Sequence, residues 1–194
     1  MLDTLMNLVR DQSGDAIVNN PAIPNEQNNV AMESVMNGIL GGLKQQANEG
    51  NIGGLLSTIM GQQSTSAQNP VVSGVMNNVT GQLAERLGIS PQIASSVAAA
   101  VVPMVLSRLF SKATDPNDSS LDVGSIMTTA TGNKQASGMD WAGMAQSAMA
   151  DGKLDMNDLM RLAGGFMGGG SSGSSGQQSG GGLGGMLGGL FGGK

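Results

Sequence analysis

The sequence predicts an all-α protein: a small multi-helix bundle of two tandem helical repeats, followed by a disordered glycine-rich C-terminal tail. Apolar residues recur every three or four positions through most of the 194 residues, which is the period of an amphipathic helix. When the sequence is aligned with itself at an offset of 66 residues, apolar residues also align with apolar residues. Beyond Gly164 the chain consists largely of Gly and Ser, a composition that is typical of flexible low-complexity segments.

The longest apolar stretch, Ile93 to Phe110, predicts a buried helix. Ser90 is placed to cap it, and Pro91 takes the first helical position, where the missing N–H costs nothing. Pro103 lies inside the stretch and removes one helical hydrogen bond. We therefore expect either a kink near 99–103 or two short helices that meet there. Interruptions by Ser, Pro and Arg leave the apolar run short of the roughly 20 residues that a membrane span needs.

The first part of the chain contains three further helical patterns. One begins at Leu2, with a break at Ser13-Gly14. A second covers Glu26 to Gln46, with Asn25 as its expected cap. Three glycines weaken the second half of that helix, by about 1 kcal/mol each relative to Ala. Such a cost suggests that another backbone approaches closely or that the helix bends. Leu55 to Met60 forms a short apolar helix.

The 66-residue shift defines the predicted domain organisation. Repeat one spans 1–61, a polar linker 62–70, repeat two 71–127 and a third short helical element 139–162. The helical domain thus covers 1–162, and the low-complexity tail covers 163–194. Few of the aligned residues are identical, so chance combined with helical periodicity is the alternative to duplication. The aligned pairs are Leu5 with Val71, Val9 with Val75, Ile17 with Leu83, Ile23 with Ile89, Val35 with Val101, Ile39 with Val105, Leu40 with Leu106 and Leu43 with Leu109.

Composition excludes several classes of function. The chain has no Cys and no His, so it can form no disulfide, no thiolate nucleophile, no Ser-His-Asp triad and no zinc or haem site built on those ligands. Its net charge of −5 argues against nucleic acid as a principal partner. Aromatic residues are only 2%, and fifteen Met are expected to fill the core in their place. The N-terminus has Asp3 where a signal peptide would carry Lys or Arg, which predicts a cytoplasmic protein.

Several motifs in order resemble a known bacterial family. They are NNPAIPNEQNN at 19–29, LGISPQIAS at 87–95, PMVL at 103–106, TDPNDSS at 114–120 and DGKLDMNDL at 151–159. Together they are similar to the domain-of-unknown-function family 937, whose relatives include the YidB-like proteins. The resemblance extends over roughly 1–162 and leaves out the tail. It implies a small all-helical domain and no assigned reaction.

The segment around Asp151, Asp155 and Asp158 is the candidate metal site. It is similar to the second half of an EF-hand loop, and calcium prefers six to eight oxygen ligands. The earlier loop positions would be Ser147 and Met149, and a Met side chain cannot ligate calcium. The alternative is structural: a turn at Asp151, a helix cap at Asp155 and an acidic residue in the first helical turn.

A second acidic cluster lies at 114–122. If Asp115 and Asp118 faced the Asp151 loop, the two segments could share one cation. The structural alternative is a turn, because Asp-Pro and Asn-Asp are turn-forming pairs.

The tail contains apolar residues at helical intervals among glycines spaced four apart. An isolated helix so rich in Gly is strongly disfavoured. The tail is therefore expected to be a flexible, disordered end. The alternative is a segment that becomes ordered on a partner, on another copy of the chain or at a membrane surface, with self-association as the leading functional version. Its apolar residues are Leu183, Met186, Leu187, Leu190 and Phe191.

The sequence as a whole predicts a non-catalytic interaction or scaffolding protein that binds a protein partner or a second copy. No nucleic-acid partner, stable membrane span or enzymatic activity is expected. The alternative function is a weak calcium- or other divalent-cation-binding module at 151–158.

Overall fold

The computed structural model describes residues 2–118 and 120–132, and every regular element within them is helical. The prediction of an all-α fold is therefore confirmed. The third helical element, the metal-site residues at 151–158 and the tail lie outside the described residues. The described residues all belong to one compact unit.

Six α-helices and two short helical turns follow one another in this part of the chain. They are α1 (Leu2–Gln12), a π-helical turn (Gly14–Val18), a 3-10 turn (Asn25–Gln27), α2 (Asn28–Asn48), α3 (Ile52–Ile59), α4 (Pro70–Leu87), α5 (Pro91–Ala113) and α6 (Val123–Thr131). We call α1–α3 the N-terminal half and α4–α6 the C-terminal half. Residues 60–69 connect them, close to the linker predicted at 62–70, and we call residues 60–69 the linker from here on.

Side chains at the predicted positions set several helix ends. The Ser90 hydroxyl accepts a hydrogen bond from the backbone N–H of Ile93, and Pro91 opens α5, both as expected. The break after α1 falls at buried Ser13. Asn25 does not cap α2, because it opens the 3-10 turn instead and α2 begins at Asn28 without a side-chain cap.

α5 runs without interruption through Pro103, so the alternative of two short helices is wrong. Proline at this position leaves the carbonyl of Ala99 without its helical donor. Ala99 is exposed, so water can bind that carbonyl group. The cost of one lost hydrogen bond is thus too small to end a helix whose opposite side is fully buried.

The main helix contacts connect the two halves. α2 packs most extensively on α4 and also contacts α6, while α1 packs on α5 and α3 contacts both α4 and α5. Within the C-terminal half, α4 and α5 also form a large contact. Each half therefore covers apolar residues of the other, as expected when a single hydrophobic core is shared between two layers.

The register of the 66-residue shift coincides with burial. Of the sixteen residues in the eight aligned pairs given above, fourteen are buried, and Leu40 and Ile89 are partly buried. Helix order also corresponds, since α2 aligns with α5 and α3 with α6 within a few residues. Duplication itself stays a prediction, because helical periodicity alone also places apolar residues inside.

α2 and α4 approach each other through glycines. A Cβ atom on Gly38 would lie 2.6 Å from the Cα of Val79, and one on Gly42 would lie 2.7 Å from the Cα of Val75. Both distances are far below van der Waals contact. The backbone approach that the sequence suggested is thus present, and it explains why α2 carries residues that disfavour a helix.

The expectation that Met fills the core is wrong for the described residues. Of the methionines in the described part of the chain, only Met32 and Met127 are buried, and most of the others lie partly buried at the edge of the core. The fully buried large side chains are almost all Leu, Ile and Val. A core of these stiffer side chains specifies its packing more strongly than a Met-rich one would.

Candidate functional site

The outward side of α5 is the most unusual surface in the described part of the chain. It consists of Ser95, Ser96, Ala99, Ala100, Met104 and Ser107, all exposed, and we call it the outer face of α5. Met104 was expected in the core, yet 44% of its surface is accessible. The sequence from Pro91 to Ser107 contains no charged residue.

The outward sides of α1 and α2 carry charged residues, and α4 carries them in its last turn. α1 exposes Asp3 and Arg10, α2 exposes Glu33 and Lys44, and α4 exposes Glu85 together with its neighbour Arg86. Charged, well-solvated faces are usual for surface helices. The outer face of α5 differs from the outward sides of α1 and α2, because its apolar and hydroxyl groups carry no charge. The exposed charge of α5, Arg108, follows this face near the C-terminal end of the helix, as Glu85 and Arg86 do in α4.

α5 also has the length and hydropathy of a membrane-crossing segment. Among the described residues it is the one helix that is both long enough and apolar enough to cross a membrane. Half of the residues in the most apolar stretch of α5 are buried inside the bundle. The described part is therefore not a set of several membrane-spanning helices, and most of the apolar residues of α5 are already buried in the core.

A shallow pocket of about 270 Å³ adjoins the outer face of α5 near its C-terminal end. Residues 58–61, residues 63–65 and the α5 residues Ser107, Phe110, Ser111 and Thr114 line it. Its lining is rich in hydroxyl groups and has no charged side chain, while Ile59 and Phe110 are nearly fully buried. The pocket can offer hydrogen bonds to a neutral group, but it brings together no acid–base pair.

A second depression, of about 370 Å³, lies over the Asn- and Pro-rich turn at 18–25. The turn uses its own polar groups, since Asn20 Nδ2 donates to the carbonyl of Ala16 and Asn20 Oδ1 accepts from the N–H of Ala22. Asn19 similarly donates to the Asp15 carboxylate. These bonds fix the connection between α1 and α2 and assign the motif a structural role.

The acidic cluster at 114–122 is engaged in local bonds. Asp118 forms an ion pair with Lys112, with 2.5 Å between Nζ and Oδ2, and accepts hydrogen bonds from Ser120. Asp115 accepts from the backbone N–H of Asn117, and Asp122 caps α6 through Ser125. The described residues contain no group of three or more carboxylates that could hold a metal ion. This supports the turn interpretation of the cluster.

The predicted metal ligands Asp151, Asp155 and Asp158 lie outside the described residues. The shared cation between Asp115, Asp118 and the Asp151 loop therefore also stays a prediction.

The ion pair of Asp118 predicts a specific pH dependence. The hydrogen bond from Lys112, with further bonds from Ser120, holds the pKa of the Asp118 carboxyl well below its ordinary value. A carboxyl whose pKa is lower in the folded state stabilises the fold above its unfolded pKa, and that contribution disappears as pH falls towards the folded pKa.

We expect Lys112→Met to raise the pKa of Asp118 towards about 4, the ordinary value for Asp. A carboxyl titration followed by NMR measures this directly. Lys44→Met is the matched control, because Lys44 is exposed on α2 and forms no ion pair within the described residues. An unchanged Asp118 titration in Lys112→Met would show that the pair does not form in solution.

Asn69 is an important residue that the sequence analysis did not single out. It is only 6% exposed and caps α4, with Oδ1 accepting from the N–H groups of Val71 and Val72. Its Nδ2 donates to Thr58 Oγ1, to Gln63 Oε1 and to the Ser64 carbonyl. The pair Asn69-Pro70 at the start of an apolar run was the available signal, since Asn followed by Pro is typical of a helix start.

No protein-family model matches the chain, and no curated protein or solved structure shows significant similarity to it. The resemblance to family 937 accordingly stays a prediction, and the site has to be interpreted from its own chemistry. That chemistry is an uncharged helix face with an adjoining neutral pocket.

Proposed function

We propose that this chain is a non-catalytic interaction or scaffolding protein that self-associates through the outer face of α5. The observation that supports the proposal is the exposure of Ala99, Ala100 and Met104 on a helix face without charged residues, in contrast to the charged outward sides of α1 and α2. In a chain of net charge −5, an uncharged surface is where a second copy can approach with the least electrostatic repulsion.

The expected association is weak. Complete burial of a Met side chain contributes about 1.5–3 kcal/mol, and Met104 is already partly covered. Alanine and serine add little apolar area, although they allow another helix to approach closely. A single helix face of this kind is smaller than a standard stable interface. The proposal therefore predicts a reversible, concentration-dependent complex.

Met104→Glu tests the proposal, because it places a charge at the centre of the outer face without touching the core. We expect the average mass of the wild-type protein to rise with concentration in light scattering, and Met104→Glu to shift that rise to at least tenfold higher concentration, about 1.4 kcal/mol. Asn77→Asp, at an exposed position on α4, is the charge-matched control and should behave as wild type.

A wild-type protein that remains monomeric at every concentration would contradict the proposal. A chain ending at Leu162 serves as a further comparison, since it keeps α5 and lacks the apolar residues at 183–191. If this shorter chain alone loses association, the tail is responsible instead of the outer face of α5.

A further inference from the structure

The shared core suggests a second way in which two copies can combine. α2 of the N-terminal half lies on α4 of the C-terminal half, and α1 and α3 contact α5. These contacts join residues that are far apart in the chain, and a single connection, the linker at 60–69, crosses between the halves. The same contacts would form equally well if the two halves came from different copies.

The linker is held closed by Asn69. Its Nδ2 group lies 3.2 Å from Gln63 Oε1 and 3.0 Å from the carbonyl oxygen of Ser64, both within the linker of the same chain. The Asn69 Oδ1 bonds to Val71 and Val72, by contrast, lie within α4. Extending the linker would break the first pair of bonds and leave the cap intact.

We propose that two copies of this chain exchange halves, with the linker as the hinge and the Asn69 bonds to Gln63 and Ser64 as the latch. In the exchanged dimer, α2 of each copy packs on α4 of the other, so that the core contacts of the single chain are reproduced. Such exchange is a low-cost route to a dimer because it creates little new interface. This inference goes beyond the proposed function and does not require the outer face of α5.

Concentration and linker geometry determine the balance between the closed chain and the exchanged dimer. A short flexible connection gives the two halves an effective concentration in the millimolar range. The closed form therefore dominates in dilute solution. When the protein refolds at a concentration of roughly 1 mM, a half from another copy competes with the half of the same chain for the same contacts. The closed latch opposes exchange at every concentration.

Introduced cysteines distinguish exchange from every other form of association, since the natural chain has none. Gln45 on α2 and Asn78 on α4 face each other, with Asn78 Nδ2 3.3 Å from Gln45 Oε1. Gln45→Cys and Asn78→Cys are made in separate full-length chains, which are mixed, unfolded, refolded together and oxidised. We expect a disulfide-linked pair of the two chains, seen on a non-reducing gel.

Two controls make the outcome decisive. Gln45→Cys and Asn78→Cys combined in one chain should form an intramolecular disulfide, which confirms that the positions meet. Asn77→Cys replaces Asn78→Cys in the second control, because exposed Asn77 does not face α2 in this way and reports random collisions. If the mixed chains cross-link no more than the Asn77→Cys control while the doubly substituted chain closes, half exchange is excluded.

The latch is tested with Asn69→Asp and Gln63→Ala. Asp keeps the acceptor that caps α4 but loses the amide donor, and it places a carboxylate beside the Ser64 carbonyl. We expect Asn69→Asp to increase the cross-linked fraction about five- to thirtyfold, as the loss of two ordinary hydrogen bonds from the closed form alone allows. The third Nδ2 bond, to Thr58 of α3, is lost from the closed chain and the exchanged dimer alike. Gln63→Ala should give a smaller increase in the cross-linked fraction, and it replaces Asn69→Asp as the test of the latch if Asn69→Asp does not fold. Unchanged cross-linking in both variants would overturn the latch.

The same experiment separates this inference from the proposed function. Association through the outer face of α5 raises the mass in light scattering without forming the Gln45→Cys to Asn78→Cys link. Exchange forms the link, and Met104→Glu leaves it unaffected. Monomeric mass together with no cross-link would contradict both.

Discussion

Gly42→Ala should destabilise the protein by about 2 kcal/mol, although Ala is the better helix former. The added methyl group would lie 2.7 Å from the Cα atom of Val75, so it meets backbone and not a flexible side chain. α2 and α4 would have to separate, and overpacking of this kind typically costs 1–3 kcal/mol. Urea denaturation followed by circular dichroism measures the change in the free energy of unfolding.

Gly81→Ala is the matched control for this experiment. Gly81 is also helical, in α4, but it is exposed and has nothing within 4 Å of the position that a Cβ would take. The same substitution should therefore stabilise the protein by roughly 1 kcal/mol through helix propensity alone. Opposite signs for the two variants are expected, whereas stabilisation by both would show that α2 and α4 are not in close contact.

Asn69→Ala should reduce the free energy of unfolding by about 2–4 kcal/mol. The loss of an N-cap costs about 1 kcal/mol, and each further hydrogen bond contributes a similar amount. Because Asn69 is buried, its removal also leaves the Thr58 hydroxyl and the Ser64 carbonyl without this donor. Thermal and urea unfolding of the full-length chain provide the measurement.

Asn69→Ser separates the two roles of this side chain. A serine hydroxyl can still cap α4, but it is too short to replace the amide donor across the linker. We expect Asn69→Ser to recover about 1 kcal/mol of the stability lost in Asn69→Ala. Asn77→Ala, at an exposed position on the same helix, should have little effect. Equal losses for Ala and Ser at position 69 would mean that the cap contributes nothing.

Much of the fold could be predicted from the sequence because local signals and burial agree. Ser90 followed by Pro91 marks the start of α5, and the break at Ser13 separates α1 from the turn that follows. The glycines of α2 indicated a close backbone approach, since their cost in helix propensity requires a compensating contact. Gly38 and Gly42 show that contact directly, with Val79 and Val75 as the neighbours.

The remaining features depend on tertiary context that periodicity does not contain. Met104 shares the helical spacing of the core residues around it, yet it lies on the outward side of α5 and is 44% exposed. Pro103 suggested an interruption, but the buried side of α5 keeps the helix continuous. Asn25 matched the preferences of a cap, and the structure uses it to start a 3-10 turn. In each case packing outweighed a local preference.

The candidate site was the least predictable part. The acidic residues suggested a cation site in the sequence because carboxylates can bind metals. In the structure, Asp115 accepts a hydrogen bond within a turn and Asp118 forms an ion pair with Lys112. An uncharged helix face has no residue motif, and it becomes visible only when exposure is known for each position. Asn69 was similarly hidden, because its importance arises from Thr58 and Gln63, which lie 11 and 6 residues earlier in the chain.

The central claim is that the two halves share one core and that neither is complete without the other. The most direct test is to produce residues 1–62 and 63–194 as separate chains, which divides the linker and leaves α1–α6 intact. Each fragment alone should lack a cooperative unfolding transition, and an equimolar mixture should regain native helicity as a one-to-one complex. A fragment that folds cooperatively by itself, or a mixture whose spectrum equals the sum of its parts, would contradict the claim.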